Sequence, residues 1–274
     1  MEGQRLRAWR PDVPGVAEVL HARFVTHAYP SHTHDAWTLL VVDDGAIRYD
    51  LDRHGHGAVA DQVTLLPPHV PHDGRAATPS GFVKRVVYLD ADVVGRELTG
   101  AAVDHPALAD PPLRRRVAEL HGVLDGGAGE ELHAESRLAL VVDRIRDHLG
   151  APHPAASVPP RRLARELREL LDAHVTSGLT LEAAAVRLGA HPTHLVRAFT
   201  AAFGLPPHAY LVGRRVDRAR ALLLAGQPAA SVAAAAGFYD QAHLTRTFRR
   251  YLGTTPAKFA GGSARRAAGR GPAG

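Results

Sequence analysis

The chain contains no cysteine, which excludes disulfides, thiolate metal ligands and a cysteine nucleophile, and fits a reducing compartment. It also has no run approaching the roughly twenty apolar residues of a membrane span. The first twenty residues carry several charges and two prolines, where a secretory leader needs an uninterrupted apolar core. No membrane partner and a cytoplasmic location are therefore expected. Acidic residues are scarce in one half only. Residues 161–274 hold 17 Lys plus Arg against 6 Asp plus Glu, a net of +11, whereas residues 1–160 hold 16 against 22, a net of −6. The overall +5 thus conceals a basic half joined to an acidic one, as expected when only one half meets phosphate.

A length of 274 residues exceeds the usual single core, so two domains are expected. The composition breaks at residues 150–160, GAPHPAASVPP, which reads as a semi-rigid linker. The Gly/Ala/Arg-rich stretch 261–274 reads as a disordered basic tail.

Residues 231–259, SVAAAAGFYDQAHLTRTFRRYLGTTPAKF, combine a small-residue helix, a glycine turn and an arginine-bearing second helix. Residues 181–204, LEAAAVRLGAHPTHLVRAFTAAFG, repeat that arrangement, so the pattern predicts a pair of helix-turn-helix motifs. Two helices crossing through a short turn need a small residue at their closest approach and often glycine at the turn. Ala185 precedes Gly189, and Ala233 precedes Gly237, by one helical turn. Asp240 is a good N-cap for the later helix, while the earlier one opens on His191, a weak cap, and Pro192.

In each second helix an i, i+4 pair, Leu195 with Phe199 and Leu244 with Phe248, is expected to point inward. That assigns Thr193, His194, Val196, Arg197 and Thr200 to one outward face, and His243, Thr245, Arg246, Arg249 and Arg250 to the other. Arg can pair with guanine, and Thr or Val with a thymine methyl. Between the motifs, residues 207–224 carry an apolar stripe at helical spacing and read as a connecting helix about 27 Å long. Arg214, Arg215, Arg218 and Arg220 lie along it.

Residues from about 161 to 259 resemble the AraC/XylS family of bacterial transcription regulators. The family pattern of the second motif falls on Ala233, Gly237, Phe238, Asp240, Leu244, Arg246, Phe248, Arg249, Gly253 and Pro256. The resemblance implies reading positions at Thr193, Val196 and Arg197, and at Ala242, His243 and Arg246. Two departures stand out: His191 replaces the usual Ser or Thr cap, and Ala242 is small for a contact position.

The N-terminal half reads as short strands at 36–42, 46–51, 63–66 and 83–89, spaced as in a sandwich or barrel. His32 and His34 flank Thr33 and so share one face of an extended strand, and His72 lies in LLPPHVPHDG. This is similar to the cupin pattern. The paired histidines, the closing Gly45 and His72 match it, while the cupin glutamate falls on Thr38 and a usual glycine on His69. Three imidazoles could hold Zn²⁺, Fe²⁺ or Ni²⁺, so His32, His34 and His72 are the candidate metal set. The reading taken is that no cofactor is resident and that His32, His34, Trp37, Tyr49 and His72 line an effector pocket. Two helices follow, at 113–124 and 131–149. In the second, Leu138, Val142, Ile145 and Leu149 form a stripe that buries on its own barrel or on a partner chain.

These signals predict an α+β two-domain protein. An N-terminal antiparallel β-barrel or sandwich, cupin-like, with two helices precedes a C-terminal all-α tandem helix-turn-helix domain. The expected divisions are a sensor barrel at 1–110, a helical dimerisation or packing segment at 111–150, the linker at 151–160, the DNA-binding domain at 161–260 and the tail at 261–274. The expected function is sequence-specific DNA-binding transcription regulation without catalysis. Expected partners are double-stranded DNA, a small-molecule effector, a second copy of the chain and RNA polymerase. The alternatives are a metal-dependent cupin enzyme fused to a DNA-binding domain, and a ligand-blind dimeric regulator.

Overall fold

The computed structural model describes residues 5–26, 28–126, 129–151 and 159–260. The tail 261–274 and most of the expected linker lie outside the described residues. The chain divides into two compact units, one of residues 1–130 and 137–155, the other of residues 131–136 and 156–274.

The first unit is built from two antiparallel sheets. Its strands are β1 (Arg5–Trp9), β2 (Val16–Phe24), β3 (Ala28–His32), β4 (Trp37–Gly45), β5 (Ile47–Leu51), β6 (His54–Ala58), β7 (Val63–Leu66), β8 (His72–Ala76), β9 (Phe82–Leu89) and β10 (Ala107–Leu108). They form a six-stranded sheet ordered β1-β2-β9-β4-β7-β10 and a four-stranded sheet ordered β3-β8-β5-β6. The four expected strands correspond to β4, β5, β7 and β9. Of the others, β1, β3 and β6 escape a period-2 reading because they are largely exposed edge segments.

Two turns explain how the sheets fold back. Asp52 and Arg53 both hold positive φ, 46° and 68°, which gives the two-residue β5–β6 hairpin the twist its strands require. Gly45 (φ +73°) ends β4 where a Cβ would fall 2.1 Å from the Gly81 carbonyl oxygen, so no side chain fits.

The sheets enclose a core of Phe24, Leu40, Val42, Ile47, Tyr49, Leu51, Leu66, Phe82 and Val86. β4 is buried along both faces, from Trp37 to Val42. Helices α1 (Ala91–Val94) and α2 (Thr99–Asp104), with a 3-10 turn between them, lead into α3 (Pro111–Leu124) and α4 (Glu131–His148). Asp110 caps α3, accepting from the Leu113 N–H at 3.2 Å. It also binds Arg144 and His148 of α4, each at 2.6 Å. Burial alone would raise the Asp110 carboxyl, yet these bonds together hold it well below the usual carboxylate range. The stripe Leu138, Val142, Ile145 and Leu149 is buried within this chain together with Val141, the first of its two expected fates.

The second unit is helical: α5 (Pro160–Ala173), α6 (Leu181–Leu188), α7 (Pro192–Phe203), α8 (Pro207–Leu224), α9 (Ala229–Ala235) and α10 (Gln241–Leu252). α5 buries Leu163, Leu167 and Leu171 at i, i+4 and i+8 and packs against α6, α7 and α8. α8 buries Leu211, Val212, Val216, Ala219 and Leu223, the last four packed with Val232, Ala233, Phe238, Leu244 and Phe248. Glu135 belongs to this unit. It accepts from the Leu181 N–H at the start of α6, and burial pushes its carboxyl up to about 7.

Candidate effector cavity and DNA-reading faces

The first unit contains a cavity of about 130 Å³ between its sheets, lined by Leu20, Leu40, Ile47, Leu66 and Phe82, with His32, His34, His72, Tyr49, Tyr88, Thr38 and Lys84 among its polar neighbours. Four of the five expected pocket residues are therefore brought together. The fifth is a correction. Trp37 is fully buried on β4, donates to the Ala91 carbonyl at 3.0 Å and is absent from the cavity lining. Alternation along the strand sends Thr38 and Leu40 to the cavity and Trp37 to the opposite side.

The three histidines converge. One nitrogen of each lies within 4.8 Å of the others, and His32 Nε2 is 3.2 Å from His34 Nε2. Register accounts for this, because β3 pairs with β8 so that His32 faces His72. His32 Nδ1 contacts the Pro30 carbonyl at 2.7 Å and His72 Nδ1 the Val70 carbonyl at 3.0 Å. With Nδ1–H donating to these carbonyls, the Nε2 lone pairs of both rings point into the cluster, the orientation found at metal-ligating histidines.

Burial, reinforced by the neighbouring His72 and His32, lowers His34 to about 4, and burial likewise lowers His72. Burial thus disfavours the protonated form of His34 and His72. Three converging imidazoles fit a divalent metal, and Thr38, which stands where the cupin pattern has its glutamate, lines the same cavity.

Sequence reasoning missed Lys84. It lies on β9, with its ammonium 4.3 Å from the Tyr29 ring, and burial lowers it to about 8. The sequence shows a lysine between Phe82 and Val86, but no residue of β9 is exposed, so alternation alone does not mark the cavity side.

In the second unit the two helix-turn-helix copies match in detail. Gly189 and Gly237 take positive φ, +58° and +86°. At Gly237 a Cβ would meet the Val175 carbonyl oxygen at 2.4 Å, so this turn needs glycine for space as well as for φ. Ala185 and Ala233 are buried at the helix approaches. Asp240 accepts from the His243 N–H at 2.6 Å. His191 does serve as the α7 cap, accepting from the Thr193 N–H at 3.4 Å.

Leu195, Phe199, Leu244 and Phe248 are fully buried. The exposed side of α7 presents Arg197, Thr200 and Ala201, with His194 half-buried. That of α10 presents Gln241, Ala242, Arg246, Arg249 and Arg250, with Thr245 half-buried. Ala201 and Gln241 were missed.

Three residues expected to face outward do not. Thr193 is 1 %, Val196 2 % and His243 2 % exposed. A single i, i+4 pair marks only the centre of a buried face, and here that face widens past half the helix circumference, at about 100° per residue. His243 packs edge-on against Phe238, its ring centroid 5.3 Å away. On α8, Arg215 is buried and donates to the Val175 carbonyl at 2.8 Å, Arg218 donates to the Ala235 carbonyl at 2.7 Å, and Arg214 binds Asp172 at 3.0 Å. These arginines hold the unit together.

Comparison with known proteins follows the same division. Residues 14–142 match the AraC-like ligand binding domain and residues 184–261 a helix-turn-helix domain. The chain is 23% identical over 235 residues, 83% of this chain and 85% of the other, to the uncharacterized HTH-type transcriptional regulator YbfI of Bacillus subtilis strain 168. It is 30% identical to the virulence regulon transcriptional activator VirF of Yersinia enterocolitica, over 45% of this chain and 42% of that one. A solved structure of the AraC-like transcriptional activator CuxR is 16% identical with a TM-score of 0.42, covering 80% of this chain and 81% of that one. None of the described helices is long and apolar enough to cross a membrane. With a ligand-binding domain over the cavity and a helix-turn-helix domain over α7 and α10, the chain belongs to the AraC/XylS family of DNA-binding transcription regulators.

Proposed function

We propose that this regulator is cytoplasmic and non-catalytic, reads base edges through α7 and α10, and takes a small-molecule effector in the cavity lined by His32, His34, Tyr49 and His72. The observation that carries the DNA reading is register. Counting from the first helical residue, Pro192 or Gln241, the sixth is an exposed arginine in both helices, Arg197 and Arg246. The buried leucine and phenylalanine occupy the fourth and eighth places in each. Thr200, Arg249 and Arg250 share those outward faces and are assigned to base-edge or phosphate contact. A dimer, if it forms, uses another surface than the buried stripe of α4.

Arg246→Ala tests the assignment. A base-reading arginine is worth about 1–3 kcal/mol at its specific site, so specific affinity should fall while random-sequence affinity changes little. Equal losses on both make Arg246 a phosphate contact. Effector occupancy is proposed to change the population of DNA-competent states. Identical DNA affinity with and without a cavity-bound small molecule removes that coupling.

A specific observation favours a second reading of the cavity. The anchored Nδ1 atoms and convergent Nε2 atoms of His32 and His72 suit a divalent metal with His34 as third ligand, the metal supplying Lewis acidity or a structural cross-link. Metal analysis of protein prepared without chelator decides between them. A stoichiometric metal lost in His34→Ala supports a metal centre, and a metal-free chain leaves the cavity to an organic effector alone.

A further inference from the structure

Lys84 is only 8 % exposed, and among the described residues it makes no hydrogen bond and no ion pair. Its β-sheet neighbours in register are Ala22 and Val42, both apolar. Its ammonium meets the faces of Tyr29 at 4.3 Å and Phe82 at 5.9 Å, contacts that attract a cation but do not neutralise it. The acidic member of the cavity lining, Asp73, is committed elsewhere, to the Asp50 N–H at 2.8 Å and to Arg75 at 3.8 Å. A buried ammonium without a counter-ion is among the costliest arrangements a core can hold.

A second group in the same cavity is also incomplete. Thr38 Oγ1 is fully buried without a hydrogen-bond partner, on a residue 4 % exposed. Leu20, Leu40, Ile47, Leu66 and Phe82 give the cavity an apolar wall beside its histidines and tyrosines. The volume, about 130 Å³, is close to the roughly 150 Å³ apolar cavity known to admit benzene.

We propose that the effector is a small organic monocarboxylate, with a body about the size of one six-membered ring, whose carboxylate is bound by Lys84. This rests on the reading of the cavity as an effector site and names the chemistry of that effector. The carboxylate supplies the missing counter-charge, and the apolar walls take the ring. Neutral sugars and polyols are disfavoured, because they would leave the ammonium without a counter-charge.

Calorimetric titration of the full chain with benzoate and, separately, with benzyl alcohol tests this without any substitution, since the two share the ring and differ in the charge. Benzoate should bind one per chain, and benzyl alcohol should bind about tenfold more weakly or worse. Lys84→Met and Lys84→Gln should each reduce benzoate affinity by about tenfold while leaving benzyl alcohol unchanged. The two variants guard against misfolding of either. Benzyl alcohol binding as tightly as benzoate, or benzoate binding unaltered in both variants, overturns the carboxylate proposal and leaves the effector cavity standing. Saturable binding of neither compound overturns the proposal and the effector-cavity reading together.

Discussion

At the scale of single residues, Lys84 carries the largest identifiable cost in the first unit. Its ordinary value near 10.5 falls to about 8 on burial, which corresponds to a destabilisation on the order of 3 kcal/mol while the group is charged. The cost is fully present below pH 8, where folded and unfolded chains both hold the proton. Between about pH 8 and 10.5 the folded chain releases it first, so stability rises with pH across that window. Lys84→Met should gain about 1–3 kcal/mol at pH 7 in denaturant unfolding and should lose that rise. Parallel pH profiles for the two proteins would refute the assignment of an uncompensated ammonium. The histidine cluster was legible because His32 and His34 stand two residues apart, His34 falling just past the end of β3, and His72 sits among turn prolines. Lys84 was not, because β9 is largely buried on both faces and its alternation cannot say which face meets a cavity. Trp37 misled for the same reason on β4.

At the scale of elements, the two helix-turn-helix copies share a pattern but not a constraint. Gly189 needs its αL backbone, yet a Cβ there meets nothing within 4 Å. Gly237 needs both the backbone and the space that Val175 and Thr176 leave. Gly189→Ala should therefore cost about 1–2 kcal/mol, the αL penalty, and Gly237→Ala substantially more, since steric overlap adds to it. Equal destabilisation in thermal unfolding would contradict the close approach at Gly237. The sequence located α6 to α10 because their signals are local: glycine turns, caps and i, i+4 pairs. It misplaced Thr193, Val196 and His243 because the width of a buried face depends on neighbouring helices, which no local spacing records. It likewise could not tell that Arg215 and Arg218 bind backbone carbonyls of their own unit rather than facing outward.

At the scale of the whole molecule, the division of charge and the division of structure coincide. The acidic half holds a cavity with three converging imidazoles and a buried lysine, and the basic half holds two helices with arginines at equivalent positions. Composition made that division legible, whereas the proposed carboxylate effector rests on the cavity and the contacts of Lys84. The central claim is that α7 and α10 read DNA as a pair. Selection of bound DNA from a random pool, by the full chain and by Arg246→Ala, tests it most directly. The account predicts an enriched site with two conserved segments about one helical turn, roughly 10 base pairs, apart, duplicated if two chains bind together. In Arg246→Ala one segment should lose its preference while the other persists. Recovery of no preferred sequence, or of the same two segments from Arg246→Ala, would contradict it.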